Sequence, residues 1–297
     1  MTSNPTGKYN PLSPPTHLKG EEVMDGAGVK ILRLFGSPAT FDLTDPFLLL
    51  DFFGSNNPED YLRGFPWHPH RGIETLTYLL KGRVDHEDSL GNAGTLRPGE
   101  IQWMTAGSGI FHQEMPRQQG SDKEMLGFQL WINLRKAEKF TNPTYRSINV
   151  EKILKSKSGK NEVKVIAGKF PGAEDSVLDS HPLSITYFDV TSNGGYIEIG
   201  KEEGFTSLII PMDGRMSVNG RTAEKSEALV FGGKKGTVRI EGEGKYRYIY
   251  LSGQRTNEKI AWYGPMVLND WKEVEDSLRD LQNGTFVRDK SPKFVSF

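Results

Sequence analysis

Residues 64–83 read GFPWHPHRGIETLTYLLKGR and indicate the class of fold more clearly than any other segment. The part after Gly72 is rich in β-branched and aromatic residues, which is typical of a strand. His68 and His70 stand two positions apart in front of it. Because side chains of a strand alternate between its two faces, both imidazoles should point the same way.

A second segment, GKEEGFTSLIIPMDGR at residues 200–215, repeats this plan at one offset of 132 residues. The turn glycines coincide at that offset, Gly72 with Gly204 and Gly82 with Gly214. Glycines that recur at a fixed distance around similar apolar segments predict two β-barrels built on one plan.

The two halves differ in their histidines. At the same offset His68 becomes Gly200 and His70 becomes Glu202, and His181 is the one histidine after residue 115. A site made of histidines is therefore expected in the first half, and a metal-free barrel with a structural or partner-binding role in the second.

The rest of the chain supports an all-β fold. Short segments such as TLTYLL, FQLWINL and YRYIYL alternate with Gly, Pro, Asn and Asp, which predicts an all-β barrel or sandwich rather than βαβ units. One helix is predicted near the end, with Asn269 as its N-cap and Gly284 as its stop. Its apolar residues recur at helical spacing and are Trp271, Val274, Leu278 and Leu281. We expect this helix to pack back across the chain.

The expected domain boundaries follow from composition. Residues 1–22 are rich in proline and polar residues and predict a disordered tail without the apolar core of a signal peptide. Residues 23–150 should form a metal-binding barrel and residues 164–297 a metal-free barrel with the helix. The lysine-rich residues 151–163 are interpreted as a linker between them.

Composition excludes several classes of function. The chain has 297 residues, enough for about two domains, and its formal net charge of −1 gives no reason to expect binding to nucleic acid or to a membrane. It has no cysteine, so a metal must be held by nitrogen and oxygen ligands. We expect an intracellular monomer, cytoplasmic or nuclear.

A second pair of candidate ligands, His112 and Glu114, again stands two positions apart. If this segment faces His68 and His70 inside a barrel, three imidazoles and one carboxylate converge. That set suits a divalent transition metal with positions left open for other ligands. Glu74 is the alternative carboxylate, although it would need a bulge to reach the same centre.

Two neighbouring residues have alternative interpretations. Glu74 can instead pair with Arg71, or contact the ligand side chains without binding the metal itself. His86 lies between Asp85 and Glu87, which favours a surface or supporting position over a metal ligand.

The order of these motifs resembles the cupin superfamily and, more closely, the pirin family. The matching segments span residues 45–269 and are DPFLLLDFF (45–53), HPHRGIET (68–75), IQWMTAGSGIFHQEMP (101–116), GFQLWINL (127–134) and YGPMVLN (263–269). The resemblance implies two jelly-roll (cupin) barrels in tandem, with one metal in the N-terminal barrel held by His68, His70, His112 and Glu114. The expected metal is Fe²⁺, with Ni²⁺, Cu²⁺, Co²⁺ or Mn²⁺ as alternatives.

The resemblance implies two alternative functions. The first is a flavonol dioxygenase of the quercetin 2,3-dioxygenase type, which uses dioxygen and in which Glu114 doubles as the catalytic base. Its aromatic substrate would lie against Phe53, Phe65, Trp67 and Trp103. The second is a nuclear, iron-dependent cofactor of a transcription factor, with Arg71 in a basic contact patch. No compact run of basic residues marks a nuclear signal.

Overall fold

A computed structural model describes residues 10–118, 122–173, 176, 181–288 and 294–296. Over these residues the chain is mostly β-structure, as the sequence predicts. In chain order the first strands are β1 Thr16–Lys19, β2 Glu21–Asp25, β3 Val29–Phe35, β4 Phe47–Ser55, β5 Phe65–His70, β6 Ile73–Lys81, β7 Arg83–Asp88, β8 Ala93–Leu96, β9 Ile101–Thr105, β10 Ile110–Arg117, β11 Met125–Asn133 and β12 Thr144–Ile148.

The remaining strands are β13 Leu154–Ser158, β14 Asn161–Ala167, β15 Thr186–Ser192, β16 Gly195–Lys201, β17 Phe205–Asp213, β18 Met216–Val218, β19 Arg221–Ala223, β20 Glu227–Phe231, β21 Gly236–Gly242, β22 Tyr246–Gln254, β23 Ala261–Tyr263, β24 Met266–Leu268 and β25 Phe294–Ser296. The α-helices of the described residues are α1 Pro38–Thr44 and α2 Trp271–Gln282. Short 3₁₀ helices lie at Pro58–Asp60, Lys136–Glu138 and Val150–Lys152.

The chain forms two compact units. The first barrel contains Lys19 to Ile153 and the chain from Thr256 onward, and the second contains the chain up to Leu18 and Leu154–Arg255. This division differs from the expected boundaries, because α2 belongs to the first barrel although it follows the second in sequence.

The lysine-rich segment expected as a linker is largely β-structure. Its strand β13 pairs with β14 at the edge of a sheet. Lys155 and Lys157 are exposed, whereas Leu154 and Ser156 on the opposite face are half-buried. Lysines on the outer face of an edge strand are common, because they discourage pairing with other chains. Of the expected disordered tail, residues 1–9 lie outside the described residues, and β1 and β2 begin within the remainder.

The first barrel packs a large sheet against a small one. The large sheet has the order β2-β3-β4-β11-β6-β9-β12-β25 and the small sheet the order β5-β10-β7-β8. Val29, Ile31 and Leu79 of the large sheet are buried against Val84 and Leu96 of the small sheet. The predicted jelly-roll architecture is confirmed.

The second barrel repeats this order. Read from the corresponding edge, its large sheet runs β13-β14-β15-β22-β17-β20-β1, and its small sheet runs β16-β21-β18-β19. Strands β6 and β17 occupy Ile73–Lys81 and Phe205–Asp213, so their bounds differ by the same 132 residues as the sequence repeat. The glycines at their ends, Gly72 and Gly204, both have positive φ angles, of 79° and 77°.

The predicted C-terminal helix is present and packs back onto the first barrel. Its N-cap is Asp270, one residue after the expected Asn269, because the Asp270 side chain accepts from the Glu273 amide and Glu273 reaches back to the cap. Val274 and Leu278 pack against Ala261 and Leu268. No helix among the described residues is long and apolar enough to cross a membrane.

Candidate metal centre

A row of five polar side chains crosses the large sheet of the first barrel. Strand register places Arg33 beside Asp51, Asp51 beside Gln129, Gln129 beside Thr77 and Thr77 beside Gln102. Residues directly opposite one another on neighbouring strands share a face of the sheet. We call these five residues the polar row.

Three of the predicted ligands come together opposite this row. Strands β5 and β10 of the small sheet pair so that His112 lies directly across from His68. His70 follows on the same face as His68. The three ring centroids are separated by 4.4 Å for His68 and His112, 4.8 Å for His68 and His70, and 4.9 Å for His70 and His112.

The nitrogen atoms of this cluster are arranged as metal ligands would be. His68 Nδ1 donates to Pro66 O at 2.8 Å and His70 Nδ1 donates to Pro265 O at 3.2 Å, which leaves a lone pair on each Nε2. His70 Nε2 and both ring nitrogens of His112 are buried without a hydrogen-bond partner among the described residues. Such orphaned buried nitrogens are rare in native proteins unless an ion or water satisfies them, so the site fits a metal.

Two histidines of the cluster, His70 and His112, are also held in the form that binds metal. Burial and the charge of neighbouring histidines lower the pKa of His70 and of His112 well below its ordinary value. Both rings are therefore neutral at pH 7, and neutral imidazole is the ligand form.

Glu114 lies under the polar row and is held by three of its members. Its Oε1 accepts from Thr77 Oγ1 at 2.9 Å and from Gln102 Nε2 at 3.2 Å, and its Oε2 accepts from Gln129 Nε2 at 2.6 Å. Trp131 Nε1 donates to Gln129 Oε1 at 3.0 Å, which turns the amide so that its nitrogen faces Glu114.

The four predicted ligands fall into two overlapping groups. Ligand atoms of His68, His70 and His112 lie within 4.8 Å of one another, and those of His86, His112 and Glu114 do so as well. His112 belongs to both groups. Glu114 thus stands beside His112, with His86 as an additional neighbour that the sequence interpretation had placed outside.

His86 is buried, so of its two expected positions the surface one is wrong, while a supporting position behind the ligands stays a prediction. Along β7 the inward residues are Val84, His86 and Asp88, while Asp85 and Glu87 point outward. The acidic neighbours suggested solvent, but they lie on the opposite face of the strand from His86. The ring stacks on Tyr145, with centroids 4.5 Å apart, and its Nδ1 lies 3.0 Å from Gln102 Nε2.

Glu74, the alternative carboxylate, lies outside both groups. It accepts from Trp103 Nε1 at 2.9 Å and from Thr105 Oγ1 at 2.6 Å. Trp103 is fully buried and does not line the cavity described below, so its expected contact with a substrate is wrong.

Arg71 pairs with the C-terminal helix rather than with Glu74. Its guanidinium donates to Ser108 O at 2.7 Å, to Ser277 Oγ and Asp280 Oδ2 at 2.8 Å each, and to Phe286 O at 2.7 Å. The side chain is 0% exposed, so it cannot belong to a basic contact patch.

Lys139 fixes the neighbouring turn in a similar way. Its Nζ donates to Gly72 O, Asn133 Oδ1 and Val267 O. A Cβ atom at Gly72 would collide with the backbone oxygen of Val267, so close packing as well as the positive φ angle requires glycine. Together with Pro265, these contacts hold the C-terminal segment against the turn that follows His70.

A cavity of about 680 Å³ opens beside the cluster. Its lining includes His68, His70 and Glu114, and its aromatic walls are Phe53, Phe65, Trp67, Trp131 and Trp262. Trp67 is 49% exposed. The sequence interpretation missed Trp131, Trp262 and the polar row, although the inward parity of Thr77 and Gln129 on their strands could have pointed to the row.

Comparison with known proteins agrees with this architecture. The model of the pirin family matches residues 28–132, and that of the pirin C-terminal cupin domain matches residues 187–287. A Pseudomonas aeruginosa protein named "Putative quercetin 2,3-dioxygenase" is 39% identical over 275 residues, covering 90% of this chain and 95% of the relative. Human pirin is 34% identical over 268 residues, covering 88% of this chain and 89% of the relative.

A solved structure of quercetin 2,3-dioxygenase from Acinetobacter baumannii superposes with a TM-score of 0.83 at 28% identity, covering 94% of this chain and 98% of that one. Both halves match family models, and relatives more than 30% identical extend over most of the length. The chain therefore belongs to the pirin family and consists of two cupin-like domains.

Proposed function

We propose that the protein is a metal-dependent dioxygenase that cleaves flavonols with dioxygen and releases carbon monoxide. The observation that carries the proposal is the cluster of buried histidines with unpartnered ring nitrogens, beside Glu114 in an aromatic-lined cavity. The names of the Pseudomonas aeruginosa relative and of the Acinetobacter baumannii structure support this chemistry.

The metal would be held by His68, His70 and His112, with Glu114 as the fourth ligand, and Fe²⁺ is the ion we expect. Three imidazoles and a carboxylate also suit Ni²⁺, Co²⁺, Cu²⁺ or Mn²⁺. When bound, the ion supplies Lewis-acid and one-electron chemistry toward substrate and dioxygen.

The cavity would hold the substrate and keep out bulk water. Phe53 and Phe65, which pack in one apolar cluster, and Trp131 and Trp262, whose ring centroids are 6.3 Å apart, offer flat apolar surface to a ligand. A cavity of about 680 Å³ is in the range of small-molecule sites. Trp67 lies half exposed on the cavity wall, where it would contact a ligand as it enters.

Glu114 would accept the proton of the flavonol 3-hydroxyl group. A carboxylate has about four acceptor positions, and three of those on Glu114 are used by Thr77, Gln102 and Gln129. The position left on Oε2 would be the one available to hold the metal or to accept that proton.

The test is an aerobic assay on quercetin with metal-free protein that is reloaded separately with iron, nickel, cobalt, copper or manganese. We expect loss of the near-ultraviolet flavonol band and release of carbon monoxide with at least one metal. Glu114→Gln should abolish turnover, whereas Glu74→Gln, which changes a buried carboxylate outside the cluster, should retain it. Absence of turnover in protein shown to carry metal would contradict the proposal.

The non-enzymatic alternative, a transcription cofactor in the nucleus, comes from the family resemblance and no longer has Arg71 in its support. Arg71 is fully buried and bound to α2, so it offers no charge to a partner. A nuclear location, a protein partner and a monomeric state stay predictions from the sequence.

A further inference from the structure

The polar row extends beyond the partners of Glu114 to a group of charged residues. Arg33 Nε donates to Asp51 Oδ1 at 2.8 Å, and Arg33 Nη2 donates to Asp51 Oδ2 and to Asp25 Oδ2 at 2.7 Å each. All three residues line the same cavity as His68 and Glu114. We call Asp25, Arg33 and Asp51 the charged wall.

Strand register fixes how far this wall lies from the metal centre. Asp51 is one strand away from Gln129, the residue that holds Glu114, and Arg33 is two strands away. Neighbouring strands are about 4.8 Å apart, so the charged wall begins roughly 5 Å and extends roughly 10 Å from Gln129 along the row. A flavonol whose 3-hydroxyl group, on the central ring, touches Glu114 can reach this wall with the far edge of its pendant phenyl ring.

The hydrogen-bonding capacity of the wall is not exhausted by its own ion pairs. Arg33 Nη1 has no partner among the residues that the structure describes, while Nε and Nη2 are both used. The Asp25 side chain is about half exposed; its Oδ2 accepts from Arg33 and its Oδ1 from the Gly26 amide, and each oxygen keeps a further acceptor position. The wall therefore offers donors on Nη1 and acceptor positions on two carboxylates.

The charge of the wall restricts which groups can use these positions. Two carboxylates and one guanidinium sum to one negative charge, so a ligand carboxylate or sulfate would be repelled. A neutral hydroxyl group can donate to a carboxylate and accept from Nη1 at once. Hydrogen bonds to charged groups are also stronger than those between neutral groups.

We infer that the charged wall selects flavonols whose pendant phenyl ring carries neutral hydroxyl groups, and rejects ligands with an acid on that ring. The inference deepens the proposed function, because it names the class of flavonol that the cavity accepts. Asp51 is the main specificity residue of the wall, since it forms both bonds to the Nε and Nη2 edge of Arg33 and is the member nearest to Gln129.

Binding can be tested without turnover. The protein is loaded with Zn²⁺, which does not change its redox state, and ligand binding is followed by quenching of tryptophan fluorescence. All five tryptophans lie in the first barrel, and Trp67, Trp131 and Trp262 line the cavity. The probes are three flavonols whose pendant phenyl ring carries no hydroxyl group, two hydroxyl groups or a carboxylate.

For the wild-type protein we expect the dihydroxy ligand to bind about 10- to 100-fold more tightly than the unsubstituted one, as one or two hydrogen bonds to charged groups would give. The carboxylate should bind most weakly. Asp51→Asn should reduce the preference for hydroxyl groups to within a few-fold and relieve the rejection of the acid. Asp25→Asn changes a more exposed position and should have both effects in part. It therefore tests the inference even if the Asp51 variant fails to fold.

The control is Asp85→Asn on β7. Asp85 is also an ion-paired aspartate, bound to Arg83 and Arg117, but it does not line the cavity. Equal affinity of the wild-type protein for the three ligands, no binding of any, or a preference that survives both wall variants would overturn the inference. Discrimination without turnover by any metal form would refute the proposed function alone, and turnover without discrimination would refute the inference alone.

Discussion

Gln129 donates a 2.6 Å hydrogen bond from Nε2 to Oε2 of Glu114, the shortest of the three bonds that hold this carboxylate. Trp131 fixes the amide from the other side. Because the bond orients a predicted ligand, we expect Gln129→Met to weaken metal binding about 10- to 100-fold without unfolding the protein. Competition with a chelator measures this. Gln113→Met on β10, whose amide bonds to exposed Glu87, is the control and should leave affinity unchanged.

His112 is the predicted ligand shared by both groups of side chains, so its loss should be the most damaging to metal binding. We expect His112→Ala to abolish stoichiometric metal, as measured by elemental analysis of the folded protein. His181→Ala, in the second barrel, should not. For the carboxylate, Glu114→Gln should lower metal content and Glu74→Gln should not; the reverse pattern would show that the fourth ligand was wrongly chosen.

The second barrel should bind no metal at the position equivalent to the histidine cluster. Gly200 offers no side-chain donor, and Glu202 has no histidine beside it. The clusters of potential ligands found among the described residues both belong to the first barrel. We therefore expect one metal ion per chain, and a reproducible value of two would contradict this.

Arg71 should be essential to the stability of the first barrel. Arg71→Met removes the donors for Ser277, Asp280 and two backbone oxygens, and breaking a buried ion pair typically costs about 3–5 kcal/mol. Arg288→Met removes a second arginine from the same Asp280, but that side chain is 48% exposed, so the cost should be at most about 1 kcal/mol. Urea unfolding followed by tryptophan fluorescence reports the first barrel specifically. Similar losses of unfolding free energy in Arg71→Met and Arg288→Met would contradict this account.

Stability should rise with pH because of Lys139. Burial lowers the pKa of Lys139 to about 7 in the folded protein, whereas an unfolded lysine keeps its ordinary value of about 10.4. Between these values the unfolded state binds more protons, so the folded state gains up to about 1.4 kcal/mol per pH unit as pH rises. Urea unfolding between pH 7 and pH 9.5 measures the slope, which Lys139→Met should flatten. If Lys139→Met leaves the pH dependence of unfolding free energy unchanged, the three oxygens that accept from Lys139 Nζ keep its ammonium group charged.

The parts of the fold that follow from local pattern were predictable. The offset between the two barrels, the shared face of His68 and His70, and the helix ending before Gly284 all depend on spacing along the chain. His86 shows where such reasoning fails. Its acidic neighbours suggested solvent, and only the pairing of β7 with β10 shows that its face is the interior of the barrel.

Contacts between distant segments could not be predicted. Arg71 meets Asp280 across more than 200 positions, and nothing near Arg71 in sequence distinguishes it from an arginine that pairs with Glu74. The polar row likewise depends on the register of five strands. A register cannot be deduced from single strands, because each is compatible with several alignments to its neighbours.

The return of the chain to the first barrel has a consequence for biosynthesis. Protein chains emerge from the ribosome N-terminus first, and domains generally fold as units. The four predicted ligands are all made by residue 114, but Pro265, which orients His70, and Asp280, which neutralises Arg71, are made only after the whole second barrel. The nascent first barrel therefore carries its histidines without the groups that position them, and the finished site can be assembled only after the chain has been made as far as Asp280.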